Sequence, residues 1–366
     1  MTQQVLQLCH DYRGPFVTVC RQYIEAQPDA EVTTVFIQGV QDECVERDVG
    51  GRVLFMEQSG ENLRGIKFAQ IFRLFRLLKN QQIDVVIAHR YKAIYLAGIL
   101  SYFRPLPILL GVAHEHNVFR RVTRKLFVTF WRRKFLIAGV SKSVVADIAR
   151  FCPSLVTEDR LYQLPNVLPA GFKSELQEKH AARIKLRLDP NALIVGTTGR
   201  LVKKKSIETL LEGFEKLQSP EAQLVLIGDG PLSQELKDQA ADLGLTDRIH
   251  FLGHVPDAGY LVRLFDVFVL PSGQAEAFGL VLLEAMVAKV PVLTSTAAGP
   301  AEVVGNAEWQ FKQGSSDSLA EKITALIELD SDEKQAMLDE NANRVAQVYS
   351  REKFRSTLDA ILNISD

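Results

Sequence analysis

Cysteine is scarce in this 366-residue chain: Cys9, Cys20, Cys44 and Cys152 are the only four, all in the first half and none in a C-x-x-C pair. That excludes a disulfide framework and a zinc knuckle, and it fits a reducing compartment. No stretch approaches the ~20 apolar residues needed to cross a bilayer. The first residues, Met1 to Val19, lack the basic flank, long apolar core and small-residue cleavage site of a secretory signal. A cytoplasmic protein is expected. Short-period repeats and low-complexity tracts are missing too. So are a Walker lysine and a G-x-G-x-x-G turn, which removes support for P-loop and dinucleotide-binding readings. Net charge is nearly nil, −1 from 43 Lys+Arg and 44 Asp+Glu, yet that value conceals an asymmetry. Residues 1–170 carry 22 basic and 15 acidic side chains, residues 171–366 carry 21 and 29, and residues 111–170 alone hold 10 and 4. A basic half and an acidic half suggest different partners for the two.

What is present is ordinary globular composition, 47% hydrophobic and 24% charged. At about 150 residues per domain the length predicts two domains. Short apolar runs alternate with helical patterns. Strands are predicted at Val5–Cys9, Val32–Ile37, Arg52–Met56, Asp84–Ala88, Ile108–Val112 and Phe135–Val140, then at Leu193–Thr197, Gln223–Ile227, Ile249–Gly253, Val267–Leu270 and Val290–Thr294. A helix is predicted over Ile66–Lys79, where Phe68, Ile71, Phe72, Phe75 and Leu78 recur at helical spacing. Near-continuous apolar strands alternating with amphipathic helices mean parallel sheets covered on both faces. The expected fold is α/β: two doubly wound Rossmann-like domains facing across a cleft, with ligands beyond the carboxyl ends of the strands. Pro165, Pro169 and Gly171 mark Leu164–Glu178 as the boundary, giving domains 1–168 and 169–349.

Three strand-to-helix turns in the second half carry chemistry. In the first, Gly199-Arg200-Leu201-Val202-Lys203-Lys204-Lys205, a glycine permits close backbone approach, while an arginine fork and a lysine point charge suit a diphosphate. The same residues also describe a basic surface loop, and both readings stand at this point. The second, Gly228-Asp229-Gly230-Pro231, is helix-start punctuation and as readily a purely structural turn. The third runs from Leu270 through Glu276 to Met286. Its helix start near Phe278–Leu280 offers unpaired N–H groups and the positive end of a helix dipole, an anion site. Glu284 lies among Leu283, Ala285 and Met286, where a carboxylate needs hydroxyl donors such as those of a ribose or sugar diol.

Glu276 and Glu284 are separated by seven residues, which resembles the E-x7-E motif of retaining GT-B glycosyltransferases of the family 4 type, the glycosyl transferases group 1. GRLVKKK at 199–205, IGDGP at 227–231, FLGHVP at 251–256 and EAFGLVLLEAM at 276–286 follow that family's order and spacing. The resemblance implies the GT-B fold and transfer of a sugar, with retention, from a nucleotide-diphosphate sugar to a saccharide or glycolipid acceptor. Arg200 and Lys205 would then bind the diphosphate, beside the turn glycines Gly199, Gly228 and Gly230. The N–H groups of Phe278, Gly279 and Leu280 would hold the distal phosphate and sugar. Glu276 would take the sugar hydroxyls, Glu284 the ribose, and the stretch from Leu252 to Val255 the base. Arg200, Lys205 and the helix start would stabilise the leaving diphosphate, so no metal and no other cofactor is expected. Closure of the domains would exclude water. The last segment, 350–366, would cross back onto the first domain. Two departures stand out: Ser206 and Lys289 occupy positions where members of that family usually carry glycine.

In the first half the resemblance rests mainly on layout. His114, in Val112-Ala113-His114-Glu115-His116, resembles the family's active-site histidine and is the candidate for contact with the transferring sugar. His89, and Gly14 in the early turn Arg13-Gly14-Pro15, are placed on the acceptor side. Residues 119–134 hold seven basic side chains and no acid, interleaved with Phe119, Phe127, Phe130 and Trp131. Such a segment suits nucleic acid, an anionic membrane surface or a phosphorylated acceptor, or is a solvated basic helix with its aromatics in the core. No nucleic-acid-binding signature accompanies it, so no nucleic-acid partner is expected. An interfacial helix meeting anionic lipid at the inner face of the membrane is the favoured reading. It matches enzymes of that family that build lipopolysaccharide core. An epimerase or glycogen-type synthase on the same fold, or an inactive sugar-nucleotide-binding scaffold, are the alternatives.

Overall fold

The computed structural model describes residues 2–58, 68–79, 81–104 and 106–363. The chain divides into two compact units, Met1–Ala170 with Arg351–Asp366, and Gly171–Ser350. Unit 1 holds strands β1 (Gln3–Cys9), β2 (Ala30–Gln38), β3 (Arg52–Gln58), β4 (Val85–His89), β5 (Ile108–Ala113), β6 (Phe135–Gly139) and β7 (Leu161–Gln163). They form one parallel sheet in the order β3-β2-β1-β4-β5-β6-β7. Unit 2 holds β8 (Leu193–Thr198), β9 (Ala222–Ile227), β10 (Ile249–Phe251), β11 (Val267–Leu270), β12 (Val292–Ser295) and β13 (Gln310–Phe311). These are again parallel, in the order β10-β9-β8-β11-β12-β13.

Both units are therefore Rossmann-like, and each strand order reverses at its centre, between β1 and β4 and between β8 and β11. Crossover helices leave the strands at those points in opposite directions, which opens a crevice beyond the strand carboxyl ends. The strands read as unbroken apolar runs because helices cover both faces: every residue of β4, β6 and β11 is buried. Each fully buried branched or aromatic side chain contributes about 1.5–3 kcal/mol. The predicted helix over 66–79 is observed as Phe68–Leu77, and Ile66 and Lys67 lie outside the described residues. Strands β7 and β13 had no counterpart in the sequence reading.

The helix Arg351–Asn363 belongs to unit 1. It buries Phe354, Leu358, Ile361 and Leu362, one face at helical spacing. Phe354 stands edge-on to Tyr23 of the helix Phe16–Ala26, with ring centroids 5.0 Å apart. In unit 2 the sheet is pinned at its amino end by Asp266. Its carboxylate accepts from Lys179, from Arg183 at 2.7 Å and from the Ile194 N–H at 2.7 Å. Arg183, only 2% exposed, also donates to the carbonyls of Leu264, Pro190 and Ala192. Burial raises the Asp266 pKa, but these hydrogen bonds and charges outweigh it and hold the carboxyl below its ordinary value.

Candidate active site

In unit 2, three turns at the strand carboxyl ends are knitted by backbone hydrogen bonds, and two of their glycines sit where no side chain fits. The Gly199 N–H donates to the Ile227 carbonyl at 2.8 Å, and the Gly228 N–H to the Gly253 carbonyl at 2.7 Å. A Cβ on Gly228, whose φ is +136°, would lie 1.9 Å from the Gly199 carbonyl oxygen. One on Gly230 would lie 2.3 Å from the Leu201 carbonyl oxygen. The glycines therefore hold the 199–201 and 227–232 turns together, and neither turn is an independent surface loop.

Lys205 ends a single 3-10 turn, Lys203–Lys205, and its chain runs over Gly199. Its ammonium sits 2.8 Å from the Glu276 carboxylate, with Lys204 at 3.8 Å. Glu276 itself is buried. The loop that delivers it is anchored by Gly273, which donates to the Lys204 carbonyl at 2.9 Å, and by Glu276 donating to the Gly273 carbonyl at 3.0 Å. Gly299 lets the next helix start close on this loop: a Cβ there would lie 2.4 Å from the Ala277 carbonyl carbon. The structure thus brings together Lys205 and Glu276, two residues 71 positions apart in sequence. Arg200 is exposed and follows Gly199 in the same turn.

Gly279, at φ +93°, caps the helix Leu280–Val287. The first N–H groups of such a helix have no intrahelical partner and face an anion well. Phe278 is buried, edge-on to Tyr349 at 5.7 Å. Glu284 lies one turn into the helix against Gly259, whose missing side chain makes room for it: a Cβ at Gly259 would meet the carboxylate at 3.0 Å. Burial pushes the Glu284 carboxyl up to about 7, with Lys205 opposing. Leu252 and Val255 are half-buried at the end of β10.

In unit 1, β4 and β5 end on His89 and, one residue beyond Ala113, His114. The two rings meet at 3.0 Å, His89 Nδ1 to His114 Nε2. Gln7 Nε2 lies 2.9 Å from His89 Nε2 and also donates to the Cys20 carbonyl at 3.3 Å. Thr34 donates to Gln7 Oε1 at 3.1 Å. A carbonyl only accepts, so the Cys20 contact fixes the NH₂ of Gln7, and the amide must donate to His89 Nε2. His89 then donates from Nδ1, and neutral His114 carries its proton on Nδ1 with Nε2 as acceptor. Burial pushes His89 down to about 3. Burial, then the charges of His89 and Arg90, hold His114 well below the usual histidine range. Both are neutral imidazoles at pH 7.

This corrects the place given to His89. It is fully buried behind His114 and orients that ring, and it lines no acceptor surface. Gly14 is a turn residue at φ +67° with open space around it. The basic-aromatic segment forms a helix only over Val122–Trp131. Phe119 is in the core and Phe127 packs over Gly98, while Val122, Leu126 and Phe130 face solvent at 62–79% exposure. Sequence reasoning missed Gln7, Thr34 and Gly259. For Gln7 and Thr34 a signal existed, a polar residue inside an otherwise apolar buried strand.

A sequence model of the glycosyl transferases group 1 family matches residues 178–345. The lipopolysaccharide core biosynthesis glycosyltransferase LpsD of Rhizobium meliloti is 33% identical over 232 residues, 53% of this chain and 67% of that protein. The capsular polysaccharide biosynthesis glycosyltransferase CapM of Staphylococcus aureus is 27% identical over 237 residues, 63% of this chain and 59% of that protein. For several other curated relatives the chain spans half of their length or less. Anabaena HepE, solved in complex with UDP and glucose, superposes with a TM-score of 0.83 at 19% identity, covering 99% of this chain and 100% of that one. At that identity the likeness speaks to the fold, two Rossmann-like domains of the GT-B kind.

Proposed function

We propose that this chain, which belongs to the glycosyl transferases group 1 family, moves a sugar from a nucleotide-diphosphate sugar to a saccharide or glycolipid acceptor in lipopolysaccharide or related envelope-polysaccharide synthesis. The observation that carries this reading is the Lys205–Glu276 ion pair at 2.8 Å, set at the carboxyl ends of β8 and β11 and joined to a glycine-capped helix start. The departing diphosphate gains charge as the glycosidic bond breaks. On this reading Arg200, Lys205 and the N–H groups at Phe278–Leu280 stabilise it in place of a metal, so we assign a metal-independent reaction. Glu276 orients donor hydroxyls, and Glu284 takes the ribose diol. Transfer proceeds with retention at the anomeric carbon, His114 contacting the sugar through its fixed tautomer.

The exposed face of the helix Val122–Trp131 supports peripheral attachment to the inner, anionic face of a membrane. Val122, Leu126 and Phe130 form one apolar stripe, and exposed Arg120, Arg121, Lys125 and Arg133 flank it. Each such cation near an anionic surface contributes about 1 kcal/mol, so attachment is reversible and salt-sensitive.

Thermal-shift screening against UDP-, GDP- and ADP-sugars identifies the donor, which is then offered for turnover in the presence of EDTA. The expected result is stabilisation by one nucleotide class, EDTA-resistant consumption of that donor and a product with the donor's anomeric configuration by NMR. Glu276→Gln should lower turnover at least 100-fold with an unchanged melt. Full turnover by that variant, or release of an isomerised nucleotide-sugar without acceptor, would refute the reading.

A further inference from the structure

Unit 1 contains a second polar feature that sugar transfer as derived above does not use. Beside His114, a cavity of about 180 Å³ opens at the carboxyl ends of β4 and β5, lined among others by His10, Arg90, Lys92, His116 and Arg124. Whole small-molecule sites usually start near ~300 Å³, so this cavity seats a substituent and not an entire saccharide.

Its charges are unevenly matched. The two acids nearby, Asp11 and Glu115, are both engaged by Arg90, at 3.5 and 3.2 Å. Lys92 and Arg124 have no carboxylate within 4 Å among the described residues. Among the described residues Lys92 reaches His10, at 3.4 Å, and Arg124 donates to the Val118 carbonyl at 3.1 Å while lying 4.4 Å above the Tyr91 ring. Burial, then the charge of Arg90, push the Lys92 ammonium below the usual lysine range, with Asp11 opposing and Arg124 adding to the effect. Burial, then Arg121, do the same to Arg124. His116 donates or accepts at Nε2 with Ser143 at 3.0 Å, but its Nδ1, closed off from solvent, has no hydrogen-bond partner among the described residues. Two non-glycine residues at the rim, Arg90 at φ +70° and Asn117 at φ +60°, hold left-handed backbone.

We propose that this cavity binds a phosphate monoester carried by the acceptor saccharide, held by the guanidinium of Arg124 and the ammonium of Lys92. That the phosphate is carried by an acceptor rests on the transferase reading, while the phosphate site itself rests only on the cavity. An anion there supplies the charge both cations lack. A guanidinium fork beside an ammonium point charge matches the several oxygens and higher charge of a phosphate better than a single carboxylate. His116 adds a further hydrogen-bonding group. Bound there, the phosphate places the rest of the acceptor next to His114.

The test is binding of hexose 6-phosphate to the full chain, followed by ³¹P NMR and calorimetry. It is made in an Arg200→Gln/Lys205→Gln background so that the diphosphate crevice does not contribute. Lys92→Gln/Arg124→Gln should weaken binding at least tenfold with an unchanged melt, and the charge-preserving Lys92→Arg/Arg124→Lys should restore most of it. Free hexose and hexuronate should bind at least tenfold more weakly than the phosphate ester. Equal binding by the glutamine pair, equal binding of hexuronate, or binding only to vesicles of phosphatidic acid and not to the soluble ester would overturn the proposal. Phosphate-ester binding that depends on Lys92 and Arg124, in a protein that binds no nucleotide-sugar, would uphold the cavity and refute the transferase reading instead.

Discussion

Replacing Glu284 by glutamine should change how the stability of unit 2 depends on pH, and the sign follows from burial. In an unfolded chain this carboxyl titrates at its ordinary value of 4.5, whereas against Gly259 it titrates at about 7. Below pH 4.5 both states are protonated. Between 4.5 and 7 the folded state binds the extra proton, so wild-type stability falls as pH rises through that window and levels off above it. At about 1.4 kcal/mol per tenfold change in proton affinity the ceiling is about 3 kcal/mol, and solvent reaching the partly exposed side chain reduces it to about 2 kcal/mol. Glu284→Gln carries no such proton, so its stability relative to wild type should grow by about 2 kcal/mol between pH 4.5 and 7.5. The chain has two tryptophans, and Trp309 is buried in unit 2. In a Trp131→Phe background its fluorescence through a urea titration reports on unit 2 alone. A difference between wild type and variant that stays flat across this window, or that shrinks as pH rises, would refute the reasoning.

Two further outcomes are expected of unit 2, read by the same fluorescence. Ser206 at φ +48° and Lys289 at φ +58° hold left-handed backbone, so Ser206→Gly and Lys289→Gly should each stabilise by about 0.5–1 kcal/mol, after allowing for the greater freedom of glycine in the unfolded chain. A loss of stability at either position would show that the side chain holds something the backbone geometry does not reveal. Asp266→Asn strands Arg183, 2% exposed, without its anion and should destabilise by about 3–5 kcal/mol. Because the Asp266 carboxyl is held below its ordinary 3.8, wild type should lose this contribution only as pH falls below about 4, and the variant should lack that acid limb.

How much of this was legible in the sequence depended on what set each feature. The apolar runs of β1 to β6 and β8 to β12 could be read because strands buried on both faces must be apolar throughout. Strands β7, Leu161–Gln163, and β13, Gln310–Phe311, could not: at three and two residues they carry no pattern, and pairing with β6 and β12 alone makes them strands. The three glycine turns were legible as turns, but the reason for their glycines was not. That reason is a carbonyl from a different turn, Gly199 against Gly228 and Leu201 against Gly230, which sequence spacing does not encode. Lys289 shows the converse: the glycine that the resembling family carries there pointed to a left-handed position, and Lys289 holds it at φ +58°.

The buried polar groups give the most general signal. Gln7 interrupts Val5-Leu6-Gln7-Leu8, and Thr34 interrupts Val32–Ile37, in strands where every other core position is apolar. A buried amide left unpaired costs roughly 1–3 kcal/mol, so its presence in such a run announces a partner. The partner here is His89, and through it His114. The same bookkeeping applied to charge separates two uses of the basic half. Val122, Leu126 and Phe130 stand among cations already solvated, which an anionic surface would screen further. Lys92 and Arg124 are partly desolvated with no carboxylate within 4 Å among the described residues, and that is the costlier arrangement. Bulk charge counts both sets alike. Only the desolvated pair demands a specific anion, and it does so next to His114, whose tautomer the core fixes through His89.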